Sequence, residues 1–139
     1  MANGKNLKRV RIDDLLSFYP KTDNQSKTYN AYKEGKNLVL HGLAGTGKTF
    51  VSLYLALEEV LDKSNKQNDI FIVRSIVSTR DIGFLPGDEQ EKVSIYEAPY
   101  RSICSEFFNV NDAYDSLKAQ GTIKFMSTSF IRGITLNNS

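Results

Sequence analysis

Residues Gly42 to Thr49 read Gly-Leu-Ala-Gly-Thr-Gly-Lys-Thr, which is the spacing Gly-x-x-x-x-Gly-Lys-Thr. Glycines in such a run permit positive φ and close backbone approach, so that successive N–H groups point at phosphate oxygens. Gly42, Gly45 and Gly47 supply that freedom, and Leu43, Ala44 and Thr46 fill the positions between them. Lys48 is placed to reach the β and γ phosphates, and the Thr49 hydroxyl to ligate Mg²⁺. A helix opening at Lys48, Thr49 and Phe50 adds its dipole and unpaired N–H groups. The chemistry implied is the binding of a nucleoside triphosphate with its metal. A glycine turn that merely joins strand to helix would leave the lysine-threonine pair unexplained. His41 is the only histidine and reads as a strand-end residue rather than a ligand or base.

Hydrolysis asks for more: an acid at the end of a second apolar strand to hold Mg²⁺. The run "IFIV" ends in Arg74-Ser75, and "IKFM" ends in Ser127-Thr128-Ser129. Asp13 and Asp14 follow "RVRI", where Arg9 and Arg11 oppose a buried strand. Asp88, Glu89 and Glu91 fall in a charged, loop-like segment. The residues for holding a triphosphate are therefore present, whereas a metal-holding acid is not recognisable.

The elements that must position the loop follow from hydropathy patterning. Ile12, Leu15, Leu16 and Phe18 have helical spacing before Pro20, which predicts a short helix. A second helix is predicted from the capping residues Asp23 and Asn24 to Gly35. "NLVL" (37–40) reads as a buried parallel strand leading into the loop, and "TFVSLYLALEEVLDK" (49–63) as a central helix. "IFIV" (70–73) is a second strand, and Arg74 to Glu97 a long functional loop or lid. Amphipathic segments at 100–108 and 110–120 precede a third strand, "TIKFMS" (122–127). Strand, helix, strand, helix, strand is the α/β pattern.

Composition narrows the classes. A chain of 139 residues with formal net charge +2 accommodates one domain and lacks the strongly basic balance that would itself argue for nucleic acid. Lys5, Lys8, Arg9 and Arg11 form a basic N-terminal run, read as a solvated tail with a nucleic-acid arm as the alternative. The single cysteine, Cys104, excludes an intrachain disulfide and reads as a small buried hydrophobe. No apolar stretch has signal-peptide or membrane-span length, so a cytoplasmic protein is expected.

Between Asn24 and Asn138 the chain resembles the PhoH-like family of P-loop ATPases, found in bacteria and phages and similar in core to superfamily 1 helicases. The resemblance rests on "NQSKTY", "GLAGTGKT", "VRSIVSTRDIGFLPGDEQEK", "APY" and "FIRGITLNN". Ser75 and Leu43 stand where the family usually, or often, has proline. The resemblance implies a RecA-like, three-layer αβα core with a parallel sheet, here incomplete. Residues 1–20 would form a basic segment with a short helix, and 21–139 the N-terminal part of the ATPase domain. The cofactors implied are ATP and Mg²⁺. Gln25 would read the adenine edge, the alternative being an ordinary helix-surface glutamine. Arg74 and Arg80 would flank a loop near nucleic acid or a neighbouring subunit, and are equally readable as salt-bridge partners. Arg132 would face phosphate or a subunit boundary, or serve as a buried structural arginine. RNA or single-stranded DNA and a homo-oligomeric ring are the implied partners of a full-length ATPase. In the family a strand ending in an acid pair follows "RGxTLNN"; here the sequence ends at Ser139. The expectation is therefore a portion of a longer core that binds ATP without turning it over. The alternative is a nucleotide-dependent regulatory module that needs no hydrolysis.

Overall fold

The computed structural model describes residues 9–76, 89–137 and 139. A short 3₁₀ turn, Ile12–Asp14, precedes helices α1 (Asp23–Lys33) and α2 (Lys48–Leu61). Strand β1 (Ile70–Arg74), helices α3 (Glu89–Phe108) and α4 (Ala113–Ala119), and strand β2 (Ile123–Ser127) follow. β1 and β2 pair in parallel, with Ile70 opposite Ile123 and Arg74 opposite Ser127. A parallel pair needs a crossover, and α3 and α4 lie in the connection between the two strands. The architecture is mixed α/β with a small parallel sheet.

α1 begins because the Thr22 hydroxyl accepts the Gln25 N–H at 3.1 Å, one residue before the expected caps. It ends at Lys33, capped by Glu34 and followed by Gly35, whose φ of +80° suits the left-handed position after a helix. α2 buries Val51, Leu53, Tyr54, Leu55, Leu57 and Leu61, as a central helix should.

Three expectations are corrected. Residues 37–40 form no strand, and Val39 is 96% exposed. An isolated strand has no partner for its N–H and C=O groups. Among the described residues the backbone of 37–40 bonds to no other segment, while β1 pairs with β2.

The helix expected through Phe18 is only the Ile12–Asp14 turn. Beyond it the backbone is tied to the core: Leu16 N–H donates to the Phe107 carbonyl at 2.9 Å, and Phe18 N–H to the Tyr54 hydroxyl at 3.2 Å. The Tyr29 hydroxyl donates to the Phe18 carbonyl at 3.1 Å. These tertiary bonds replace the helical ones, and Ile12, Leu15 and Phe18 still pack on the core.

The expected loop from Arg74 to Glu97 is helical from Glu89 onward, continuous with the amphipathic segment to Phe108. Glu, Gln, Lys and Ala favour this state. Pro99 lies within the helix but is exposed, where water can satisfy the carbonyl left without its N–H partner. Residues 77–88 lie outside the described residues.

The core centres on aromatic rings from separate segments. Phe107 lies 4.7 Å from Phe50, 5.6 Å from Tyr54 and 5.6 Å from Phe18, centroid to centroid. Phe18 in turn meets Phe50 edge-on at 5.2 Å. Such pairs stabilise beyond their area. Away from this cluster, buried Glu97 on α3 accepts the Tyr114 hydroxyl at 2.6 Å and Lys118 Nζ at 2.8 Å, pinning α4 to α3. At the N-terminal end of the sheet, the Gln120 amide accepts Val10 N–H at 2.9 Å and donates to the Val10 carbonyl at 3.2 Å.

Because Phe107 is fully buried among these rings, Phe107→Ala should destabilise the chain by about 3–5 kcal/mol. Urea denaturation followed by circular dichroism measures this, and a loss within experimental error of zero would disprove the central position of this ring.

Candidate functional site

The loop reverses the chain through two glycines in the left-handed region, Gly45 at φ +79° and Gly47 at φ +89°. Gly47 caps α2 and its carbonyl accepts the Val51 N–H at 2.9 Å, the first bond of the helix. The Thr46 hydroxyl donates to the Leu43 carbonyl at 2.7 Å, closing the loop on itself. Ala44 and His41 are exposed, as is Leu43.

Lys48 folds its ammonium back into the loop, where Nζ donates to the Gly42 and Leu43 carbonyls, each at 2.7 Å. An ammonium has three N–H donors, so one remains for an anion at the same place. The N–H groups of Lys48, Thr49 and Phe50 lie in the first turn of α2, where backbone donors have no intrahelical partner. The Thr49 side chain is exposed and makes no hydrogen bond among the described residues. The Phe50 ring belongs to the core cluster, which leaves its N–H as its contribution to a ligand. Left-handed glycines, a central ammonium, free helix N–H groups and a free hydroxyl form a donor set that fits a magnesium triphosphate.

Gln25 stands beside the loop. Its Oε1 accepts the Lys21 N–H at 2.8 Å, and its Nε2 donates to the Thr46 carbonyl at 3.4 Å. A Cβ on Gly47 would stand 3.3 Å from that Nε2. Arg74 is engaged elsewhere: its guanidinium donates to the Tyr96 carbonyl at 3.4 Å and lies 5.2 Å from the Tyr96 ring centroid, tying β1 to α3. Arg132 is exposed in the turn after β2, which removes the buried structural alternative. Arg80 lies outside the described residues. The structure thus brings Gln25, the glycine loop, Lys48 and Thr49 together, without drawing Arg74 or Arg132 into contact with them. Sequence reasoning missed Thr22 and Lys21. The signal was there: Thr22-Asp23-Asn24-Gln25 has the Thr-x-x-Gln form of a capping box.

Among the described residues the strand ends carry no carboxylate. β1 ends at Arg74, and β2 at Ser127, whose Oγ lies 2.7 Å from Ser129 Oγ. Among the described residues no group of three His, Cys, Asp or Glu side chains is gathered for a metal.

In the core, burial raises the Tyr29 and Tyr54 hydroxyls. Tyr114 is raised by burial first and then by its bond to Glu97. Burial pushes the Cys104 thiol from its ordinary 9.0 up to about 12. Each group is neutral in its favoured folded form, and its folded pKa lies above the unfolded one. Their contribution to stability is therefore complete below the unfolded values and lost as pH rises through the folded ones.

A family model for PhoH-like proteins matches residues 17–139, and the chain belongs to the PhoH-like family. A PhoH-like protein of Synechocystis sp. is 32% identical over 120 residues, covering 86% of this chain and 36% of that protein. A PhoH-like protein of Bacillus subtilis is 30% identical over 120 residues, covering 86% and 37%. Protein PhoH2 of the same organism is 32% identical over 138 residues, covering 94% and 31%. The chain spans about a third of the length of the curated relatives it matches. No solved structure matches it at comparable significance. No helix among the described residues is long and apolar enough to cross a membrane.

Two measurements test the buried groups. The urea midpoint should be flat from about pH 7 to 8.5 and fall as pH rises above about 9, because the Cys104 and tyrosine shifts act in that direction. A midpoint that rises across this window would contradict the assigned signs. Cys104 should also resist alkylation by iodoacetamide at about pH 8 in the native chain and react promptly in urea.

Proposed function

We propose that this chain binds ATP with Mg²⁺ through Gly42–Thr49 and does not turn it over at an enzymatic rate. The carrying observation is the position of the Lys48 ammonium, 2.7 Å from the Gly42 and Leu43 carbonyls inside a loop shaped by left-handed glycines. Lys48 would meet the β and γ phosphates, the glycine-loop N–H groups their oxygens, and Thr49 the metal. When bound, Mg²⁺ would neutralise phosphate charge. The binding-only reading is supported by strand ends at Arg74 and Ser127, where a P-loop hydrolase carries an acid.

Membership of the PhoH-like family supports a wider reading. The fold would be the N-terminal part of a RecA-like three-layer core, with residues 1–20 as a basic segment preceding the domain. The full-length protein would hydrolyse ATP as a cytoplasmic homo-oligomeric ring acting on RNA or single-stranded DNA, and Arg74, Arg80 and Arg132 would be the positions to examine for nucleic-acid or subunit contacts.

Calorimetric titration with Mg-ATP should give a micromolar Kd for the wild-type chain and a value at least about tenfold weaker for Lys48→Ala, the loss of a charged hydrogen-bonding partner. A hundredfold excess of ligand over Kd should raise the stability by about 2.7 kcal/mol. Hydrolysis at roughly 1 s⁻¹ or faster that vanishes in Lys48→Ala would overturn the binding-only reading. Equal affinity of the two chains would overturn the site.

A further inference from the structure

Gln25 makes a contact that base reading does not require. Its amide is oriented by the Lys21 N–H, which Oε1 accepts at 2.8 Å, and this turns Nε2 toward the loop. There it donates to the carbonyl of Thr46, the residue before the left-handed Gly47 that caps α2. Gly47 packs so close to the amide that an added Cβ would lie 3.3 Å from Nε2. The segment leading to Lys21 is itself fixed: the Phe18 ring meets Phe50 at 5.2 Å, and the Phe18 backbone is bonded to Tyr54 and Tyr29. One side chain therefore connects an anchored segment to the peptide at which the phosphate loop turns into its helix.

The geometry points to Gln25 as a positioning residue of the phosphate loop: it holds the Thr46–Gly47 peptide so that the following N–H groups face the phosphates, whatever base the ligand carries. This rests on the nucleotide-binding reading above. Fixing the Thr46 carbonyl toward Gln25 restrains the Thr46–Gly47 peptide plane, and with it the direction of the Gly47 N–H, because the peptide is rigid. A glycine-rich turn has the most backbone freedom to lose on binding, so an external brace lowers the ordering cost of holding phosphate.

The test compares the wild-type 139-residue chain with Gln25→Ala and Gln25→Glu, using Mg-ATP, Mg-GTP and magnesium tripolyphosphate as ligands. Loss of one such hydrogen bond should weaken all three by the same factor in Gln25→Ala, about five- to tenfold. In the ligand-free protein, backbone NMR order parameters at Thr46, Gly47 and Lys48 should fall in both variants, while those in the middle of α1 stay as high as in wild type. Gln25→Glu keeps an acceptor for Lys21 and removes the donor to Thr46, so its lower loop order parameters isolate the loop contact. If Gln25→Ala weakens Mg-ATP alone and leaves tripolyphosphate unchanged, the side chain reads adenine and the inference is overturned. Unchanged loop order parameters in both variants overturn it as well. If wild type and Lys48→Ala alike bind none of the ligands, the nucleotide-binding reading falls. The order-parameter measurement then still decides whether Gln25 braces the loop.

Discussion

The contact between Phe50 and Phe107 carries the rest. Phe50 is the second residue after Lys48, and its ring is locked at 4.7 Å against a fully buried ring from α3. Where that ring sits decides where α2 starts, and where α2 starts decides the direction of its free N–H groups. The loop alone has little rigidity, since its glycines are chosen for freedom. Its shape is imposed from behind, by an aromatic cluster that joins the chain before α1, the first turn of α2 and the end of α3. Core packing and the geometry of the proposed site are here the same constraint viewed from two sides.

That arrangement explains how far the chain could be read from its residues. The loop was legible because it obeys local rules: glycines where φ is positive, a lysine and a hydroxyl at the first turn of a helix. The central helix was legible because its apolar residues continue around the helix through Leu57. The Leu15–Phe18 segment was misread because helical spacing is only a local signal. Its backbone donors and acceptors go to Phe107, Tyr54 and Tyr29, partners far away in sequence. Periodicity placed Ile12, Leu15 and Phe18 on the core but said nothing about which groups would satisfy the main chain between them.

The run at 37–40 illustrates the opposite limit. Three consecutive apolar residues suffice for a strand only if another strand lies alongside, and whether one does is a property of topology rather than of the run. β1 and β2 found each other across a helical crossover, and Leu38–Leu40 pair with no strand among the described residues. The helix from Glu89 was obscured in another way: its charge density resembles a solvated loop, and Pro99 resembles a stop. The exposed Pro99 and the buried, hydrogen-bonded Glu97 are each compatible with a helix. Gln25 shows that even a noticed residue can carry an unread role, since its capping-box spacing identifies a helix start but not the loop that this start lies beside.

Val10 and Gln120 form a pair whose meaning goes beyond an anchor. The side-chain amide of Gln120 takes both the N–H and the carbonyl of Val10, as a neighbouring peptide would in a ladder. A peptide borrowed from a side chain brings no strand direction and no twist with it. The chain entering at Val10 is thus fastened to the end of the sheet through a side chain, in the place a third strand would take.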